Sequence, residues 1–140
     1  MTPTPSQTVG PFFGVGLHPV DGAEGVRIKG QVLDGAGEPV DGALLEAWHE
    51  GQFARCRTDS EGAFHFTARR APFLNITVFA RGLLRHVNTR MYFPGSAMDS
   101  VLSLVDPSRR HTLMARADGE VLRFDIRLQG DGETVFFAGS

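Results

Sequence analysis

The residue types that do chemistry are thinly spread along this chain of 140 residues. Its five histidines, His18, His49, His65, His86 and His111, stand singly, with no His-x-x-x-His or comparable ligand spacing. Surface or packing roles suit them better than metal binding. Cys56 is the single cysteine, and Arg55 and Arg57 beside it could lower its pKa, but a small structural residue in a strand is the better fit. Gly35-Ala36-Gly37 has the look of a phosphate loop, but no helix follows it, so a turn is expected. There is no Gly-x-Ser-x-Gly and no Cys-x-x-Cys, and Tyr92 is the single tyrosine. One stretch stands apart. Phe73, Asn75, Thr77, Phe79 and Arg81 alternate with Leu74, Ile76, Val78 and Ala80, so in a strand the two sets point to opposite faces. The aliphatic set makes an ordinary core face. The other set joins an amide, a hydroxyl, two aromatics and a guanidinium, an odd mixture for a surface that meets only water. Spacing alone does not declare an enzyme, but it marks this face as the place where a site would be.

The elements that hold this face are short strands. Residues 87–93 form a second β-rich run that pairs back on residues 73–80. Before them, residues 26–32 alternate, residues 34–38 form a turn, and residues 43–49 start the next strand. Residues 52–58 and 63–67 are expected to form a hairpin around Asp59-Ser60-Glu61-Gly62, with Phe64 and Phe66 on one face. Residues 94–104 read as a loop with at most a short helix. Residues 111–117 and 120–128 are expected as a hairpin joined by Asp118-Gly119, with Leu122, Phe124, Ile126 and Leu128 facing in. Seven or so strands punctuated by turns predict an all-β fold, a two-sheet β-sandwich over residues 26–140. Residues 1–25 form an irregular arm. Pro3, Pro5, Pro11 and Pro19 forbid a helix or a central strand there, yet Phe12, Phe13, Val15 and Leu17 are too apolar for a disordered tail. Such an arm should dock on its own domain or on a neighbouring chain.

A hydrophobic content of 41% over this length suits one domain with a real core, and a net charge of −2 argues against a polyanionic partner. The charge is uneven: residues 1–50 carry two bases against seven acids, and residues 51–90 seven arginines against Asp59 and Glu61. Acidic and basic strands that neutralise one another on packing account for this, and a local positive field suited to a small anion is the sharper alternative. A lone cysteine fits a reducing cytoplasm, and no leader or membrane span is expected.

Three blocks, read together, resemble a known family. They are TPSQTVGPFF (residues 4–13), GQVLDGAGEPVDGALLEAWHEGQF with RTDSEGAFHF (residues 30–53 and 57–66), and the central hairpin ending in MYFPG (residues 91–95). In the same order along nearly the whole chain they are similar to the intradiol ring-cleaving dioxygenases. LNITVFARG (residues 74–82) and RFDIRLQGDGETVFF (residues 123–137) resemble in particular the α-type chains of that family's two-chain members. The resemblance implies a β-sandwich, in agreement with the strand reading.

It also implies a non-haem Fe(III) held by two tyrosinates and two histidines in the family's iron-bearing chains. Phe73 and Asn75 stand at the positions of those histidines, and one tyrosine cannot supply two tyrosinates. The chain is therefore expected to bind no metal, and the Fe(III) to belong to a partner β subunit. Residues that match the α-type contributions to a shared substrate pocket are Thr8, Gly10 and Pro11 of the arm, and Arg81. No catalytic residue is expected in this chain. The implied activity of the assembly of αβ units is cleavage of protocatechuate with O2 to 3-carboxy-cis,cis-muconate, with Arg81 suited to the substrate carboxylate or to an acid at the interface. The competing expectation is a non-enzymatic, transthyretin-like homo-oligomer that has lost its iron.

Overall fold

The computed structural model describes residues 25–80, 86–130 and 132–137. The arm of residues 1–25, apart from its last residue, lies outside them, as does Arg81.

Nine strands are formed among the described residues: β1 (Gly25–Leu33), β2 (Leu44–His49), β3 (Gln52–Arg57), β4 (Ala63–Arg69), β5 (Phe73–Phe79), β6 (Val87–Tyr92), β7 (Arg116–Asp118), β8 (Val121–Arg123) and β9 (Ile126–Arg127). A short helix α1 (Ser100–Ser103) and a 3-10 helix over Pro107–Leu113 separate β6 from β7. One sheet has the order β4-β1-β8-β7, with β9 also on β1, and the other has the order β3-β2-β5-β6. Ile28, Val32, Phe64, Phe66, Leu122, Phe124 and Ile126 from the first sheet meet Leu45, Ala47, Leu74, Ile76, Val78 and Met91 from the second in one buried core. This is the expected sandwich, and the period-two alternation of residues 73–80 delivers its aliphatic set to that core.

Three local expectations are corrected. The turn at Asp59-Ser60-Glu61-Gly62 does not close a hairpin. Its Asp59 carboxylate accepts from the backbone N–H of Glu61 (2.8 Å) and Ala63 (2.9 Å), as expected of such a turn, but β3 and β4 belong to different sheets. The four residues are a corner at which the chain changes sheet. At the far end of the same two strands the Gln52 side chain accepts from Arg69 N (2.9 Å) and donates to Arg69 O (3.0 Å), taking the place of a ladder partner. Next, the strand expected to start at His111 is instead the end of the 3-10 helix. Asp106 caps that helix by accepting from Ser108 N at 2.9 Å, and Pro107 fixes its first residue. Finally, the last inward-facing run breaks between β8 and β9. Gly30 of β1 lies so close to Phe124 there that the Asp125 carboxylate, not the backbone, accepts from Gln31 N (2.9 Å).

Residues between β6 and β7, together with the last described residues, cover part of the second sheet. Ala115 N donates to Tyr92 O (2.9 Å) and Phe137 N to Asn88 O (2.8 Å), so the edge of β6 is covered. Tyr92, Leu102, Val105 and Leu113 form a second small core there, with Phe73, Val135 and Phe137 packed on it. Among the described residues no helix is long and apolar enough to cross a membrane.

Candidate functional site

Strand register lays out the outer face of the second sheet as a grid. Across β3, β2, β5 and β6, one row reads Arg55, Glu46, Thr77, Asn88, and the next reads Phe53, Trp48, Asn75, Arg90. Phe73 and Tyr92 pair at one end, and Arg57, Leu44 and Phe79 stand at the other. The sequence alternation placed Phe73, Asn75, Thr77 and Phe79 on this face, and the register adds their neighbours. The face has two halves. On the β2–β3 side Trp48, Phe53 and Phe79 stand exposed at 38%, 48% and 39%. On the β6 side Phe73 is half-buried and Tyr92 wholly buried beneath the segment from α1 onward, so of the two outward aromatics of β5 only Phe79 is exposed. The outer face of the first sheet is different in kind. Lys29 pairs there with Asp118, and Arg123 and Arg116 pair with Asp125, the pattern of a face that meets water.

The half-buried end carries the tightest cluster. The Arg90 guanidinium lies 3.9 Å from the centre of the Phe73 ring, a close cation–π contact. It donates to the Tyr92 hydroxyl at 3.1 Å, and that hydroxyl donates to the Asp99 carboxylate at 2.9 and 3.0 Å. Arg90 and Asp99 also pair at 3.6 Å. Asp99 caps α1 by accepting from Leu102 N at 2.7 Å. The His49 ring meets Phe73 edge-on, 4.7 Å between centroids, so this histidine packs as expected. Burial pushes the Tyr92 phenol above its ordinary range and Asp99 adds to that, while Arg90 pulls it down.

Elsewhere Arg55 is neutralised by an acid of the neighbouring strand, as the packing account of the charge pattern expected, whereas Arg57 meets a backbone carbonyl. Arg55 donates to Glu46 Oε2 through Nε (3.1 Å) and Nη2 (2.7 Å), and Arg57 donates to Gly42 O (3.2 Å). Thr77 donates to Asn88 Oδ1 at 2.9 Å, and Asn75 Nδ2 to Trp48 O at 3.4 Å. Cys56 falls on the opposite face of β3 from Arg55 and Arg57. Burial pushes its thiol up to about 12, against which a backbone N–H of His65 pulls only weakly. The Cys56 thiol of the folded chain is therefore expected to react with Ellman's reagent at least about a hundredfold more slowly than the same thiol in denaturant, measured as a rate at pH about 8.

Fe(III), the metal implied by the resemblance, does not fit this donor set. Phe73 offers no donor, the Asn75 oxygen is neutral, the Tyr92 phenol is turned to Asp99, and a guanidinium lies over the ring of Phe73. Among the described residues no three His, Cys, Asp or Glu side chains come together as a metal site. Of the residues expected to border a substrate, Thr8, Gly10, Pro11 and Arg81 lie outside the described residues. Arg90, Tyr92 and Asp99 were missed by sequence reasoning. Arg90 becomes visible only through the register that sets it opposite Asn75. An apolar cleft of about 520 Å3 lies between Leu104, Val105, Val135 and Phe137, with Asp106 and Arg109 at its lining.

The chain is 37% identical to the protocatechuate 3,4-dioxygenase alpha chain of Burkholderia cepacia, over 96% of each chain. It is 33% identical to the protocatechuate 3,4-dioxygenase alpha chain of Pseudomonas putida, over 96% of this chain and 95% of that one. The first alignment spans 190 positions against the 140 residues present here, so at least 50 positions of the relative have no counterpart. Among solved structures, the dioxygenase domain of a dioxygenase carbohydrate-binding protein fusion from Streptomyces sp. SirexAA-E superposes with a TM-score of 0.62 at 23% identity, over 92% of this chain and 99% of that one. Catechol 1,2-dioxygenase from Pseudomonas arvilla C-1 gives 0.55 at 21% identity, over 81% and 55%. Both likenesses are of fold. No family model matches the chain.

Proposed function

Since this chain belongs to the protocatechuate 3,4-dioxygenase alpha chains, within the intradiol ring-cleaving dioxygenases, and is thus a subunit of an oxidoreductase, we propose that it is the metal-free member of an αβ pair. In this reading a related β subunit holds the Fe(III), and the substrate is protocatechuate, opened by O2 between its two hydroxylated carbons to 3-carboxy-cis,cis-muconate. Both oxygen atoms enter the product, so no further reductant is needed. The observation that carries the reading is the end-to-end match to two alpha chains, 37% and 33% identical over 96% of this chain. The donor set at Phe73 and Asn75 supports it, because a chain that cannot hold the metal needs one that can.

The work of this chain is to form one wall of the pocket. Arg81 supplies a permanent charge and a planar pair of donors for the substrate carboxylate. Gly10 and Pro11 act through backbone shape, and Thr8 supplies a hydroxyl for a hydrogen bond across the interface. The arm of residues 1–25 packs on the β subunit, and the exposed Trp48, Phe53 and Phe79 suit a permanent interface of the two chains. The assembly is placed in the cytoplasm.

Expression of the chain alone and together with an iron-bearing β subunit tests this. The chain alone is expected to be colourless, iron-free and inactive. The pair is expected to show the visible tyrosinate-to-iron absorption and to cleave protocatechuate. Stoichiometric iron and colour in the isolated chain would overturn the reading, and so would a stable homo-oligomer that ignores every β subunit offered. In the active pair, Arg81→Ala is expected to cost protocatechuate at least about tenfold more in kcat/KM than plain catechol, since it removes a charge-assisted pair that only the carboxylate makes. Equal losses would deny Arg81 a carboxylate-specific role.

A further inference from the structure

We propose that Arg90 actively keeps metal out of this chain: its guanidinium lies over the ring of Phe73, on the face that position 75 shares, and it engages the carboxylate of Asp99. The proposal rests on the metal-free assignment above, from which it takes the correspondence of positions 73 and 75 with a ligand pair. The rest comes from geometry. Positions 73 and 75 project from the same face of β5, and Arg90 stands opposite Asn75 on β6. Its side chain leans back over position 73, with the guanidinium 3.9 Å from the ring centre. A metal held between positions 73 and 75 would lie within a few ångströms of this fixed positive charge, on a face where half of the surroundings are already low in dielectric.

Charge is one half of the exclusion and the use of ligands is the other. Asp99 is the carboxylate of the cluster, and it is bound by Arg90 at 3.6 Å, by the Tyr92 hydroxyl and by the backbone of α1. Tyr92 in turn directs its proton to Asp99 and accepts from Arg90 at 3.1 Å, so its oxygen is engaged on both sides. His49, with its ring 4.7 Å from that of Phe73, is an imidazole already within reach of the place. Two histidines restored at positions 73 and 75 would thus join a third, yet a guanidinium would still separate them from Asp99. Loss of the metal is therefore a property of the whole cluster and is not undone by the return of two ligands.

The test uses the full chain and Co(II) as the probe, with binding followed by the visible absorption of the ion and by calorimetry. Three proteins share Phe73→His/Asn75→His. One keeps Arg90, one carries Arg90→Lys and one carries Arg90→Leu. The leucine protein is expected to bind Co(II) at least about tenfold more tightly than either cationic one, since it lacks the repulsion and releases Asp99 from its ion pair. Any smaller difference overturns the proposal, whatever the absolute affinities. Near-UV circular dichroism checks that each protein is folded, and Arg90→Gln carries the same expectation as Arg90→Leu where the latter does not fold. The Co(II) series asks nothing of the β subunit. Its failure would leave the two-chain assignment standing, whereas iron in the isolated natural chain would overturn that assignment and, with it, the exclusion of metal by Arg90.

Discussion

Gly30→Ala is expected to remove a large part of the stability of the chain, although the change adds a single methyl group. A Cβ built on Gly30 meets Phe124 O at 1.7 Å and Phe124 C at 2.6 Å, separations that no side chain can relieve because the obstacle is backbone. The connection from β8 to β9 must then move off β1. That movement breaks the bond from Phe124 N to Lys29 O (2.8 Å) and the bond from Gln31 N to the Asp125 carboxylate (2.9 Å). It also opens the core at Phe64, whose ring would lie 2.9 Å from the new atom. Two lost, partly buried hydrogen bonds and a disturbed core amount to about 4 kcal/mol or more, against a total of about 5–15 kcal/mol for a domain of this kind. Urea unfolding measures it, and near-UV circular dichroism shows whether a packed core remains. Gly35→Ala is the control, because its nearest obstacle at 2.9 Å is the flexible side chain of Gln129. It should cost less than about 1 kcal/mol, and the expectation fails if the two variants unfold at the same urea concentration.

Asp99→Ala is expected to cost about 2–4 kcal/mol, because one carboxylate serves three partners. It caps α1 through Leu102 N, takes the proton of the buried Tyr92 hydroxyl and pairs with Arg90. Without it the Tyr92 hydroxyl keeps the bond it accepts from Arg90 but loses the acceptor of its own proton. Asp99→Asn keeps the cap and an acceptor for Tyr92 but drops the charge, so it should cost about 1 kcal/mol. The two variants also separate by pH. Burial pushes the Asp99 carboxyl up, but the N–H of Leu102, the Tyr92 hydroxyl and the Arg90 guanidinium together hold it below the ordinary carboxylate range. A carboxyl lowered on folding stabilises the native state fully above its unfolded pKa, and that contribution disappears as pH falls through the folded value. The natural chain should therefore lose its advantage over Asp99→Asn progressively as pH falls from about 5, just above the ordinary carboxylate range, down through the lowered folded value. Urea unfolding across that range checks this, and a constant gap would mean that the charge on Asp99 contributes nothing.

Much of the fold could be read from period and turns. The aliphatic set Leu74, Ile76 and Val78 went to the core because a strand can bury only one face, and Asp34 closes its turn by accepting from Ala36 N and Glu38 N. What failed was the assignment of partners. Asp59 makes the same local bonds at a sheet-changing corner as it would in a hairpin, so turn chemistry alone does not say whether the flanking strands pair. Residues 107–113 hold no strong helical period, and their 3-10 turns depend on the Asp106 cap and on Leu113 finding the small core under Tyr92. The candidate site shows the same division. Phe73 and Asn75 could be placed on the outer face from alternation, but their principal neighbour comes from another strand. Arg90 reaches Phe73 only through the register of β5 on β6, and Asp99 reaches Tyr92 only because α1 folds back over that strand.

The parallel pairing of β1 with β8 and β9 has a consequence for biosynthesis. One edge of β1 finds β4 early, with Ile28 opposite Phe66, but the other edge waits for residues 121–127. Gln31 and Asp125, which bond across that edge, are 94 residues apart. At a translation speed of about 5–20 residues per second, the first strand spends roughly 5–20 s with an open, hydrogen-bonding side before its partner has even been made. During that interval the nascent chain presents an unpaired strand edge to every other chain nearby, and a polypeptide stopped short of residue 121 would never close it.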